Sequence, residues 1–412
     1  MRIHNRWFQL GASLIAMIMI ANLQYAWTLF VKPLQLGTGW KLSDIQVAAT
    51  LFILFQTWAQ PCQGWLIDRM GPRLFISIAG ILCGIGWGGL GYATSLPMLY
   101  TLYVMAGIGA ALVYGGSIGS ALKWFTTKRG LASGIMAAGF GGGAGLFIPI
   151  INVMLKNDGY RATFLWTGVV QGLVILAVAQ VLRHPAAEPT VPAAARAAAG
   201  PARLGQHHFT TGEMVRTPQF YVMYLAFLMM ATGGLLLTLN AGPIAGAWGL
   251  AAALAVAQSL NAVANGASRV FWGWVSDRTG RELAMIVAFV LHAGCLVLVT
   301  IFGRASGTWF TITLVLAFFT WGELYSLFPA MLGDYYGTRH ATSNYGLLYS
   351  AKGVASILGG WMAALIFETS GSWTAVLYGS AVLALVAAGL MFGLRYVSVP
   401  SRAPIAVPAT AE

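Results

Sequence analysis

The chain reads as an all-α membrane protein of twelve transmembrane helices arranged in two pseudo-symmetric six-helix halves. Composition, long apolar stretches and one internal repeat predict it. Of 412 residues, 58% are hydrophobic and 8% charged. Soluble domains run about 25% charged, so this chain could not cover a water-facing surface. A bilayer-spanning helix needs about 20 mainly apolar residues, and such stretches recur along the whole chain. The turn GWLIDRMGPR (64–73) returns as GWVSDRTGRE (273–282), 209 positions later. Repeated halves around a central cavity are an architecture that moves solutes across bilayers.

In chain order the spans are expected at roughly 8–31, 43–67, 74–94, 98–122, 130–155, 162–182, 219–246, 250–276, 284–303, 308–333, 343–367 and 373–395. Arg2 and Arg6 precede the first, but its apolar run exceeds a signal-peptide core and eleven more spans follow. The second and eighth end in the repeated turn. Tyr114 in the fourth span and Tyr325 in the tenth are 211 apart, and KWFTTKRG (123–130) takes the place of GDYYGTRH (333–340). GFGGGAG (139–145) lies within the fifth span and lacks the Gly-Lys-Ser/Thr ending of a phosphate loop. With LGG (358–360) in the eleventh span, it reads as a place of close helix approach or hinging. After the sixth span, HPAAEPTVPAAARAAAGPARLGQHH has no apolar face to pack. The expected organisation is a first half at 1–183, a cytoplasmic linker at 184–217, a second half at 218–397 and a tail at 398–412.

A net charge of +12 would point to nucleic acid in a soluble protein. Here its distribution points elsewhere. With both termini cytoplasmic, sixteen of the 23 Lys and Arg fall on that side, five fall outside, and Arg269 and Lys352 fall within spans. This positive-inside bias orients a multi-pass protein of the cell (inner) membrane. Cys62, Cys83 and Cys295 have no metal or disulfide spacing. No nucleotide motif, paired carboxylates or His-rich set occurs, so neither an enzyme nor a cofactor or metal is expected. The expected partners are the lipid bilayer and a small solute, with no nucleic acid and a monomeric chain.

The repeated turn supplies gating candidates. Gly64 and Gly273 permit close backbone approach. Asp68 and Asp277 can accept from arginines such as Arg69, Arg73 and Arg278, or from free amides at a helix N-terminus. Such a network would latch helix ends in one conformation and release them in another; the alternative is a fixed positive-inside anchor.

The pattern G-x-L-x-D-R-x-G-x-R, met by Gly64, Leu66, Asp68, Arg69, Gly71 and Arg73, resembles the signature loop of the major facilitator superfamily; the second copy has Val275 in place of Leu. NRWF at Asn5, LQYAWTLF from Leu23, KWFTTKRGLASG from Lys123, TGEMVRTPQF from Thr211, FWGWVSD from Phe271 and NYGLLYSAKGVASILGG from Asn344 resemble the bacterial oxalate/formate antiporter family, near the monocarboxylate porters. The resemblance implies the major facilitator fold, two halves that rock in alternating access, and small carboxylates as substrates.

Four ionisable residues lie at bilayer depth, where each costs several kcal/mol and is by default a functional candidate. Asn261, Asn265 and Arg269 are spaced i, i+4, i+8 on one helix face. Lys352 shares a face with Tyr349 and Tyr345. Two cations on facing helices would offer an anion a bidentate fork and a point charge. The alternative for Arg269 is snorkelling toward Asp277, about 12 Å along the helix. The resemblance implies a carboxylate-binding base at both positions. Trp321 and Tyr325 face one way, and Glu323, rotated about 200° from either, points away, with His292 as a candidate buried partner. Glu323 reads either as a structural or protonated group or as a proton-coupling one.

Gln24, Tyr25 and Thr28 in the first span and Tyr114 in the fourth offer polar tips inside apolar helices. The resemblance places cavity aromatics at Tyr25 and Tyr114. It also marks two departures: Phe140 stands where a tyrosine is expected and Tyr349 where a tryptophan is, which leaves formate, lactate or another short acid open. The expected function is a gradient-driven carrier of small organic anions, by exchange or by proton symport through Glu323. A non-transporting sensor of the same fold is the remaining alternative.

Overall fold

The computed structural model describes residues 5–125, 129–183, 208–337 and 340–400, apart from the side chains of residues 61, 62, 64, 65, 67–69, 122, 123, 129–131, 133 and 342. Its regular structure in those ranges is entirely helical. The first half contains α1 (Arg6–Tyr25), α2 (Trp27–Thr38), α3 (Leu42–Trp58), α4 (Gln60–Gly89), α5 (Leu96–Trp124), α6 (Arg129–Asn157) and α7 (Gly159–Val181). The second contains α8 (Thr211–Met214), α9 (Pro218–Ala247), α10 (Leu254–Thr279), α11 (Arg281–Ile301), α12 (Gly307–Trp321), α13 (Leu324–Tyr336), α14 (Ala341–Ser356), α15 (Ala363–Ser370) and α16 (Thr374–Leu394).

Ten helical stretches among the described residues are long and apolar enough to cross a membrane. The two remaining expected spans fall short of that measure for physical reasons. α3 stops after 17 residues, at a break beside Ala59, because Pro61 has no N–H to continue the backbone ladder. α10 runs for 26 residues, but Asn261, Asn265 and Arg269 dilute its apolar character.

The second glycine of the repeated turn explains why the turn recurs. Gly71 has φ 75° and ψ 157°, and Gly280 has φ 92° and ψ 151°. Both lie 209 residues apart in a backbone region that a Cβ disfavours. Each ends one span and starts the next, so the repeat is conformational as well as textual.

Gly273 corrects an expectation. A Cβ placed there meets no atom within 4 Å, so no close helix approach depends on it. Gly64, Asp68 and Arg69 lie outside the described side chains. Asp277 does join a network, but its arginine is Arg281, at 2.7 Å and i+4. Arg281 also reaches Asp334 at 3.5 Å, tying α11 to the end of α13. Arg278 instead stacks over Trp274, 3.9 Å from the ring centroid, and Arg73 donates to Gln180 at 2.7 Å.

The glycines of α6 bring helices together as expected. α6 stays helical throughout, with Gly143 against Ile18 of α1 and Gly142 facing Gly266 of α10. The second glycine site behaves differently: Ile357–Met362 is π-helical, a bulge of the kind that often marks functional places. Gly359 packs on the α9 backbone at Thr232 and Leu236.

Toward the face opposite the charged turns, hydrogen bonds join the two halves. Gln46 of α3 donates to Leu239 O at 2.8 Å and Asn240 Oδ1 at 3.0 Å. Thr28 Oγ1 accepts from Gly242 N, Thr50 Oγ1 donates to Ser356 O, and Ser43 N donates to Glu368. The end of the expected linker packs on the second half: Phe209 N donates to Tyr336 O and Asn344 Nδ2 donates to Phe209 O. A Thr210–Glu213 capping box starts α8 there.

Gly280→Ala forces an L residue into an extended positive-φ region held almost only by glycine, at a cost of about 1–3 kcal/mol, whereas Gly273→Ala fills open space and gains helix propensity. Thermal unfolding in detergent is expected to show a lower Tm for the first and an unchanged or higher Tm for the second.

Candidate functional site

The site forms where helices are interrupted. Tyr25 is the last residue of α1 before the break at Ala26, and Gly322 and Glu323 separate α12 from α13. A Cβ on Gly322 would overlap Ser268 and lie 2.8 Å from Asn265 O, so the missing side chain seats this break directly on α10.

Lys352 of α14 is fully buried. Its ammonium donates to Gln24 Oε1 at 2.9 Å, Gln56 Oε1 at 3.0 Å and Tyr349 OH at 3.2 Å. Two of these acceptors come from the other half of the molecule. Arg269 of α10 is 5% exposed. Its Nη1 donates to Ala137 O at 2.8 Å, and Nε and Nη2 both donate to Asn265 Oδ1 at 3.3 Å. The guanidinium packs against Gly141 of α6, so the snorkelling alternative does not describe it. Among the described residues, neither cation has a carboxylate within 4.0 Å.

Aromatic rings enclose the pair. Tyr325 lies beneath both cations, 4.7 Å from Arg269 Cζ and 5.7 Å from Lys352 Nζ. Phe140 and Tyr349 lie 5.8 and 5.3 Å from the ammonium. Tyr114 stacks on Tyr349 at 6.0 Å and meets Phe140 edge-on at 5.3 Å. Tyr25 packs on Phe140 at 5.6 Å and accepts from Asn265 Nδ2 at 3.4 Å. Ring faces are negative, so this cage stabilises desolvated cations. The Tyr325 hydroxyl has no partner among the described residues, nor does either polar atom of buried Asn261. The first of these is a free hydroxyl on the ring that lies beneath both positive charges.

Trp321 stands edge-on to Tyr325 at 5.3 Å, as their i, i+4 spacing requires. It lies against Gly234, and its indole N–H has no partner among the described residues. Glu323 is fully buried with both carboxyl oxygens unpartnered there. The expected Glu323–His292 pair is not formed. His292 Nδ1 faces Ala317 O at 3.1 Å and Thr320 Oγ1 at 3.2 Å, because α12 presents its own backbone and hydroxyl at that level.

Gln56 is the residue sequence reasoning missed. The 209-residue repeat could have found it, because it maps Gln56 onto Asn265 and Gln60 onto Arg269. Both mapped amides, Gln56 and Asn265, present their side-chain oxygen to a buried cation. The corresponding offset of 211 maps Lys352 onto Gly141, the glycine against which Arg269 packs. The interfaces α3–α14 and α6–α10 are therefore pseudo-equivalent, each holding one cation.

The fold and this buried cationic centre define a multi-pass membrane carrier. The chain belongs to the Major Facilitator Superfamily, whose description matches residues 12–322 and 231–410; it is a transporter and not an enzyme. It is 39% identical to the oxalate:formate antiporter of Oxalobacter formigenes over 94% of this chain and 90% of that protein. It is also 24% identical to the uncharacterized MFS-type transporter YhjX of Escherichia coli strain K12, over 85% of this chain and 86% of that protein. Identity to monocarboxylate transporter 12-B of Danio rerio is 24%, over 88% of this chain and 79% of that one.

Gln56→Glu would place a carboxylate against the Lys352 ammonium and occupy the charge an incoming anion needs. The half-saturating concentration of a transported organic anion in counterflow is expected to rise at least about tenfold, equivalent to about 1.4 kcal/mol, with unchanged protein yield.

Proposed function

We propose that this protein is a secondary carrier of short organic carboxylates, exchanging oxalate- or formate-type anions by alternating access of its two halves. One observation carries the reading: a guanidinium and an ammonium are buried around a single tyrosine ring, and among the described residues no carboxylate lies within 4.0 Å of either. A buried cation is costly unless paired; an anionic substrate supplies the pairing, with Arg269 as the fork and Lys352 as the point charge. The relative named for oxalate and formate exchange supports the substrate class. Phe140 and Tyr349 would shape the cage for the anion's carbon frame, while Gln24, Tyr25, Tyr114, Asn261, Asn265, Trp321 and Tyr325 would line it.

In this reading twelve spans cross the inner membrane, both termini are cytoplasmic and the carrier works as a monomer. The repeated turns, through Asp68, Asp277 and their arginines, would latch the cytoplasmic ends. The broken α3–α4 helix and polar α10 serve as the two spans whose apolar character is interrupted; a polar interruption is tolerated at depth where it lines a cavity.

A second mode, proton-coupled symport, is favoured by Glu323, whose two buried oxygens have no partner among the described residues. A carboxyl that takes up and releases a proton at bilayer depth is the usual carrier of coupling.

Reconstituted protein loaded with oxalate is expected to take up labelled oxalate by counterflow, with competition by formate, malonate, lactate and acetate ranking the cargo. Arg269→Gln and Lys352→Gln are each expected to lower the exchange rate at least a hundredfold. Undiminished exchange in either variant would remove the proposed anion site. Glu323→Gln separates the modes: exchange persists in both, but uptake driven by a pH gradient disappears only if symport operates.

A further inference from the structure

The described residues between the cationic centre and the repeated charged turn contain a polar feature that the central site does not use. Gln56 lies near the end of α3, and Gln60 and Gln63 lie in the first turn of α4, just beyond the break beside Ala59. All three amide nitrogens are buried without an acceptor among the described residues, and Gln63 Oε1 is also unpartnered. Gln63 is 5% exposed and Gln56 is 1% exposed. A buried donor left unmade costs about 1–3 kcal/mol. Three within eight residues form a pattern that needs an explanation.

The placement of these amides supplies one. Gln56 already presents its oxygen to Lys352 at 3.0 Å, which leaves its N–H2 directed away from the ammonium. Lower down, Gln60 and Gln63 converge on α5 at Gly115. A Cβ there would overlap Gln63 Oε1 and lie 3.6 Å from Gln60 Oε1, so the absent side chain makes room for both amides. Gly115 follows Tyr114, whose ring stacks on Tyr349, itself bonded to Lys352. The same wall thus runs from the central ammonium to the two lower glutamines.

We propose that Gln56, Gln60 and Gln63 form a second, transient carboxylate-binding track that passes the anion between Lys352 and the face bearing the charged turns. The proposal rests on the carboxylate-carrier reading above. Each amide N–H2 donates to a carboxylate oxygen in turn. Neutral donors bind an anion more weakly than the two cations, so the track conducts rather than traps it. No bond is made or broken and no proton moves.

The test uses Gln63, which takes no part in the central site. Radiolabelled oxalate exchange is measured in oriented membrane vesicles of both sidedness, with equilibrium oxalate binding measured on purified protein. Gln63→Leu is expected to raise half-saturation from the charged-turn face about tenfold. Half-saturation from the opposite face and equilibrium affinity should stay within about twofold of wild type. Gln63→Glu, nearly isosteric and anionic, is expected to impair the charged-turn face further. Wild-type behaviour of Gln63→Leu from both faces overturns the track, as does equal impairment from both faces. Should Gln63→Leu fail to fold, Gln63→Glu decides alone, since wild-type kinetics in that variant are incompatible with an anion passing its carboxylate. Absence of carboxylate binding or exchange by wild-type protein overturns the carrier reading, and the track with it.

Discussion

The structure depends on keeping two positive charges in the middle of an apolar bundle with, among the described residues, no carboxylate within 4.0 Å of either. Each would be worth several kcal/mol of instability if left bare. The surrounding side chains answer that problem with neutral oxygens and ring faces. Gln24, Gln56 and Tyr349 supply three oxygens to the Lys352 ammonium. Asn265 and the Ala137 carbonyl supply the Arg269 guanidinium, and that carbonyl is reachable because Gly141 lets α6 approach the arginine. Neutral acceptors partly compensate a charge without cancelling it, so an anion arriving at the cage still finds an attractive field.

The internal repeat gives this arrangement its geometry, and departures from the repeat give it its charge. The α3–α14 and α6–α10 interfaces are related by the same pseudo-symmetry that relates Gly71 to Gly280. Yet Gln60 stands where the other half has Arg269, and Gly141 where the other half has Lys352. Both cations come from the second half, while the first contributes amide oxygen, backbone carbonyl and aromatic surface. A symmetric scaffold thereby holds a lopsided site, and the bonds from the cations to Gln24, Gln56 and Ala137 cross the boundary between the two halves.

Much of this was legible before any coordinates. Charges at bilayer depth are so costly that Arg269 and Lys352 stand out in any reading, and helical spacing placed Asn265 and Tyr349 beside them. The aromatic cage followed from the same spacing together with the family likeness. Gln56 did not stand out, because one amide in an apolar run says nothing about which helix faces it; only the mapping onto Asn265 carries that information. The Asp277 network resolved onto Arg281 rather than Arg278 because the turn at Gly280 brings the start of α11 back against Asp277, and Arg278 had an indole face to cover. Gly273 was misread because a glycine in a helix shows permission for close packing, not its occurrence. His292 was misassigned because rotation along one helix cannot reveal what the neighbouring backbone offers.

One helix reaches both the cationic centre and the bonds that join the halves. α3 contributes Ser43, Gln46 and Thr50 to the bonds that join the halves on the face away from the charged turns. One to two turns further on it presents Gln56 to Lys352, and Trp58 donates to Ser350 O of α14 at 3.3 Å. A 17-residue helix is short and stiff, so its two ends cannot change neighbours independently. In the proposed carrier cycle, an anion that drew Lys352 away from Gln56 would loosen the inner end of the same α3–α14 interface whose outer end is tied by Thr50 and Ser356. The break beside Ala59 uncouples this segment from the lower part of the span, where the charged turn sits. In the proposed carrier cycle, α3 is the contiguous element through which binding at the ammonium would bear on the seal.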